Sequence, residues 1–160
     1  MKKRIQFPLF EVMMIVIMFS IMAILALPKF VDVGIEARIK TLNGVALNIS
    51  SVNRLLYSRA LIKGVQNKPL QATDILGEKD AGAYLVYGEL RAQEDDLKLF
   101  LDNDVIQYSQ TNKQGEIRLF LDSFENDKCY LDYYQAKEKL MPNGQTAIVK
   151  ASYKIKRSGC

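Results

Sequence analysis

Residues 7–27 read FPLFEVMMIVIMFSIMAILAL, and the rest of the chain is interpreted from this stretch. Only Pro8, Glu11 and Ser20 in it are not hydrophobic, and four of the six methionines (Met13, Met14, Met18 and Met22) lie there. As a helix rising 1.5 Å per residue it would run about 31 Å, the thickness of a bilayer's hydrocarbon core. Lys2, Lys3 and Arg4 stand just ahead of it and supply three of the formal net charge of +4. By the positive-inside rule this start stays cytoplasmic and the chain beyond the apolar run is exported. The expectation is a membrane-spanning helix over 7–28 behind a charged leader, residues 1–6. A cleaved secretory signal shares the charged start and apolar middle. Against it, Glu11 interrupts the apolar stretch, and Ile24 stands two residues before Ala26 where a signal cleavage site prefers a small residue.

Beyond Pro28, a possible kink, apolar residues continue with helical spacing: Ile35, Ile39, Leu42, Ala46, Ile49, Leu56 and Ala60 form one stripe. Lys29, Asp32, Glu36, Arg38, Lys40, Asn43, Asn48, Asn53, Arg54 and Arg59 are distributed over the other faces. Gly64, followed by Asn67 and Pro69, is a stop signal. The pattern predicts one helix of about 55 residues, apolar all round in its first part and on one side only in its second.

From Leu70 the pattern changes. Residues 83–87 (AYLVY), between Gly82 and Gly88, read as a short buried strand. Residues 92–101 suit a short helix with Glu94, Asp95 and Asp96 at its positive end. Residues 117–121, 129–134 and 147–155 read as strands separated by turns at 112–115, 125–127 and 142–144. The fold class is α+β: a long N-terminal helix, membrane-spanning in its first half, packed on a small, mainly antiparallel sheet. The 29–160 head would have a core of the Ile39 to Ala60 stripe against Leu119, Leu121, Leu131, Tyr133, Ile148 and Tyr153.

Composition removes several function classes. The chain has no histidine and no tryptophan, so His-based triads and His–Zn or haem–His ligation are out. It contains no Gly-rich phosphate loop, no paired nucleophile and base and no Cys-x-x-Cys, so no enzyme activity and no cofactor are expected. The run Asp102-Asn-Asp104 lacks the later ligands and the glycine of a calcium loop, so with Glu94, Asp95 and Asp96 it reads as a helix start and a solvated turn. The sequence pI near 9.0 owes most to the leader, so nucleic acid is not an expected partner. Tyr130, Tyr133 and Tyr134 divide between core and surface, as sheet packing more than a stacking platform.

The layout resembles the type IV pilin and pseudopilin family. Phe7, Leu9, Glu11, the apolar run from Val12 to Leu27, and Pro28 carry the resemblance. The stretch Pro28-Lys-Phe-Val-Asp-Val33 with Glu36-Ala-Arg38, the Asn53 to Val65 segment and two late cysteines resemble the mannose-sensitive haemagglutinin (MSHA) branch. The resemblance implies a leader removed by a prepilin peptidase between Gln6 and Phe7, methylation of the new N-terminus, and bundling of apolar helices into a filament core. This chain departs from the family at Gln6, where the leader ordinarily ends in glycine, and at Pro8, where a small hydroxyl residue is common. The resemblance further implies that Glu11 pairs with the amine of Phe7 on a neighbouring subunit. The alternative places Glu11 in a permissive first turn, reaching the headgroups and complementing the helix dipole, with Arg4 as a local partner if the leader stays.

An even cysteine count in an exported domain predicts a Cys129–Cys160 disulfide, which also resembles the C-terminal disulfide loop of pilins. The expected function is a pilus subunit for surface attachment, major or minor. Its partners would be itself, other pilins, the prepilin peptidase, the assembly platform and the bacterial inner membrane, which it crosses once with a periplasmic head before assembly. A type II secretion pseudopilin is one alternative. A single-pass periplasmic binding or adhesion module that never polymerises is another.

Overall fold

The computed structural model describes residues 9–76, 82–101, 105–121, 128–142 and 144–160, leaving aside the side chains of 25–33, 75 and 76. The chain divides into two compact units, Met1–Ala37 and Arg38–Cys160. Helix α1 is assigned over Leu9–Ile62, 54 residues. Its end follows from local chemistry: Gly64 takes φ 68°, its N–H donates to the Leu61 carbonyl, and the Val65 N–H reaches back to Ala60 at 2.9 Å. Those two bonds form a Schellman closure, which satisfies carbonyls that a simple helix end would leave without donors.

The membrane-spanning first half is not upheld. Among the described residues no helix is long and apolar enough to cross a membrane. From residue 34 onward the sequence on α1 turns amphipathic, with charges, amides and hydroxyls interrupting the apolar residues.

Within Arg38–Cys160 the architecture is α+β, and the described residues form the second part of α1, a short 3-10 turn at Thr73–Leu76, helix α2 at Glu94–Phe100 and three antiparallel sheets in place of one. Strands β1 (Gln71–Ala72), β2 (Tyr84–Val86) and β3 (Glu89–Leu90) form the first. The second has the order β4-β5-β6-β9, from Ile106–Gln110, Glu116–Leu121, Tyr130–Tyr134 and Ser152–Lys156. A two-stranded hairpin, β7 (Lys137–Leu140) with β8 (Thr146–Val149), is the third. The link between β2 and β3 is two residues, Tyr87 at φ 52° and Gly88 at φ 80°, the paired left-handed geometry that matches strand twist. A Cβ on Gly88 would meet the Tyr57 ring of α1 at 3.0 Å, so this turn is seated directly on the helix.

The core joins Leu42, Val45, Ala46, Ile49, Leu56 and Ala60 of α1 to Ile117, Leu119, Leu121, Leu131 and Tyr133 of the four-stranded sheet. Three expectations are corrected here. Residues 147–155 do not make one strand, because the Ala151 N–H is taken by the Glu89 carboxylate and the chain passes from one sheet to another. As a result Ile148 and Tyr153 lie outside the core, 41% and 44% exposed. Asn53, counted with the polar faces of the helix, is buried. Asp96 likewise leaves the solvated cluster: buried, it accepts from the Tyr84 N–H at 3.0 Å and from Arg91 Nε at 2.5 Å, pinning α2 to the first sheet. Asp102, Asp104 and the turn at 125–127 lie outside the described residues.

Candidate functional site

The sequence places a run of large apolar side chains on the first turns of α1, and all described side chains over 9–24 are exposed. Leu9 is 87% exposed, Phe10 72% and Ile24 70%. The exposure extends around the helix, since Val12, Met13, Met14, Ile15, Val16, Ile17 and Met18 occupy every direction of two turns. A patch of this size on a protein surface marks a place where something else sits.

Two polar side chains interrupt this surface. The Ser20 hydroxyl donates to the Val16 carbonyl at 2.8 Å, one turn back, so the helix satisfies it internally. Glu11 lies in the first turn of the described helix and is exposed. It has no salt-bridge partner among the described residues. Any apolar body covering this surface therefore has one charge to match. Gln6 and Phe7, the expected processing pair, lie outside the described residues, as does the side chain of Pro28, although the helix assignment runs through that position.

In the Arg38–Cys160 unit, Cys129 and Cys160 are joined by a disulfide with a Cα–Cα distance of 4.6 Å. The close approach depends on Gly159, whose N–H donates to the Lys128 carbonyl at 3.1 Å. A Cβ there would come within 2.5 Å of the Lys128 nitrogen, so only glycine fits. The tail is also held to α1: Arg38 Nη1 donates to the Cys160 carbonyl at 2.6 Å, and Arg157 Nη2 to Asn43 Oδ1 at 3.4 Å. Strand β9, one edge of the four-stranded sheet, is thereby tied by a covalent bond and by the helix.

Beneath it lies a closed polar network that the sequence pattern did not suggest. Asn53 Nδ2 donates to the Tyr133 hydroxyl at 3.0 Å, Tyr133 donates to the Leu90 carbonyl at 2.8 Å, and the Leu90 N–H donates to Asn53 Oδ1 at 3.0 Å. Helix, β6 and β3 are thus joined at one buried point. Burial pushes the Tyr133 hydroxyl far above its ordinary range, against the opposing pull of the Asn53 hydrogen bond. The only advance signal was an asparagine within an otherwise orderly helix repeat. Among the described residues no three His, Cys, Asp or Glu side chains converge on a metal-binding point.

Compared with known proteins, the chain matches no family model, no curated protein and no solved structure.

Proposed function

We propose that this protein is a structural subunit of a pilin-like filament, assembling through the apolar start of α1 and displaying its α+β head. The observation that carries the reading is the exposure of large apolar side chains all round the helix over 9–24. A partner on one face would need one apolar stripe; a helix in the middle of a bundle of copies needs all of them. Burying each such side chain contributes about 1.5–3 kcal/mol, so several contacts per neighbour offset the entropy lost on association.

Glu11 then sets register. Inside a bundle an unmatched carboxylate costs several kcal/mol, so only an arrangement that offers it a cation or strong donors is stable. The amine of Phe7 on a neighbouring copy, freed by a prepilin peptidase and methylated, is the partner this reading assigns. The disulfide suits an oxidising compartment outside the cytoplasm. The MSHA-like residues between Pro28 and Arg38 favour an attachment pilus over a type II secretion pseudopilus.

The test is to shear filaments from native cells and measure the intact mass and first residue of this chain in them, alongside a Glu11→Ala variant. Chain starting at methylated Phe7 in the filaments, with assembly of the variant reduced at least about tenfold, supports the reading. Chain recovered only as monomer, or a variant that assembles as well as the parent, overturns it.

A further inference from the structure

A cavity of about 270 Å³ opens where α1, β3, β6 and the start of β9 meet. Asn53 and Tyr133 line it, and their polar atoms are already engaged with each other and with the Leu90 backbone. The groups left facing the cavity are the Ser50 and Ser152 hydroxyls, Arg54, Glu89, Lys150 and Tyr153. Glu89 is 7% exposed, and among the described residues its Oε2 accepts from the Ala151 N–H. Among the described residues it makes no salt bridge. Arg54 and Lys150 are exposed, and Lys150 Nζ stands 4.9 Å from the centre of the Tyr57 ring.

This is an unusual set of groups for a wall with only a packing role. A carboxylate taken out of water without a cation is costly, and burial indeed pushes the Glu89 carboxyl above its ordinary 4.5, against the pull of the Ala151 bond and of Lys150. Its other oxygen is able to accept a ligand donor, while Arg54 and Lys150 line the same cavity and are able to meet an anion. A phosphate would satisfy the cations but would meet Glu89 as a like charge. A simple ammonium would satisfy Glu89 but would face Arg54 and Lys150. A ligand with both hydroxyl donors and a carboxylate, held apart by a small ring, meets every group. The half-exposed Tyr153 ring offers a flat surface for the C–H face of such a ring. The volume lies just below the range of about 300–1,000 Å³ typical of drug-sized sites and suits a single ring.

We infer that this pocket binds a carboxylated sugar: hydroxyl groups donate to Glu89 and exchange hydrogen bonds with Ser50 and Ser152, the carboxylate meets Arg54 and Lys150, and the ring lies against Tyr153. The assignment does not depend on assembly, because every group belongs to the Arg38–Cys160 unit.

The test titrates the full-length chain in detergent with glucuronate, galacturonate and glucose, following isotope-labelled amide signals of residues 150–153. Saturable shifts with a uronate, roughly tenfold weaker with glucose, are expected for one lost charge-assisted contact. Arg54→Ala and Lys150→Ala, both at exposed positions, should each weaken uronate binding by a similar factor with melting unchanged. Glu89→Gln should weaken uronate and glucose alike. Absence of saturation with either uronate, equal affinity for glucose, or uronate binding untouched in an Arg54→Ala/Lys150→Ala double variant would each overturn the assignment. Filament formation by these variants is a separate readout, so failure here leaves the assembly reading standing.

Discussion

Two stretches of α1 carry large apolar side chains in opposite environments. Over 9–24 the large side chains stand in the open, while from Leu42 to Ala60 the stripe residues are buried under the sheets, Leu42 at 0% exposure. What distinguishes them is how often polar residues interrupt the apolar ones. The later stretch carries charges and amides on its remaining faces, so one side must face a core and the others water. The earlier stretch has one charge and one self-satisfied hydroxyl, so no side of it suits water, and its described side chains are all exposed. A helix can thus be complete in its hydrogen bonds and still be unfinished as a surface.

The strongest way to break the comparison is to make the same substitution in both stretches. Ile49→Asp should unfold the head, because an unpaired charge in its core costs more than about 4 kcal/mol. Ile17→Asp should leave the head's melting temperature unchanged and stop assembly. Thermal unfolding followed by near-ultraviolet circular dichroism, with filament counts by electron microscopy, reads both. Equal loss of head stability in the two variants would remove the distinction.

A smaller effect is expected at the tail. Opening the Cys129–Cys160 link by Cys160→Ser releases a 31-residue loop, and chain entropy predicts a loss of roughly 3–4 kcal/mol in denaturant unfolding. Asn53→Ala should cost about 1–3 kcal/mol, since it strips the Leu90 N–H of its acceptor in a buried place. Neither change should alter assembly by the 9–24 surface, and a filament defect in Asn53→Ala at a temperature where its head is folded would contradict that separation.

The smallest effect is a pH dependence. The folded-state carboxyl of Glu89 titrates above its ordinary 4.5, because desolvation outweighs the Ala151 hydrogen bond and the Lys150 charge. Its ionised form is therefore less favoured in the folded state than in the unfolded chain. Its favourable contribution is fully present below pH 4.5 and is lost as pH rises through the folded value. The stability of the parent relative to Glu89→Gln should accordingly increase on acidification from neutral pH and level off near 4.5. A difference that stays flat over that window would mean that Glu89 is better solvated than its burial indicates.

Much of the head was legible from local pattern. The helix stop at Gly64, strands near 84–86, 116–121 and 130–134, and α2 all follow from spacing and turn residues. Four strands were not legible: β1 and β3 are two residues each, β4 alternates weakly, and β7 reads KEKL, exposed throughout. Such segments become strands because a partner offers hydrogen bonds, and no propensity in their own residues announces it.

The sequence by itself determined where the chain is apolar on every side, where it is apolar on one side only, and where it must turn, because these depend on neighbours a few positions away. It also supplied two cysteines and one charge within an apolar run. Tertiary structure decided the rest. It buried Asn53, Asp96 and Glu89, divided residues 147–155 between two sheets and left Ile148 and Tyr153 outside the core. It brought Arg38 to Cys160 across 122 positions of sequence. Each of those outcomes rests on which polar group finds a partner from a distant segment, and a one-dimensional pattern holds no distances.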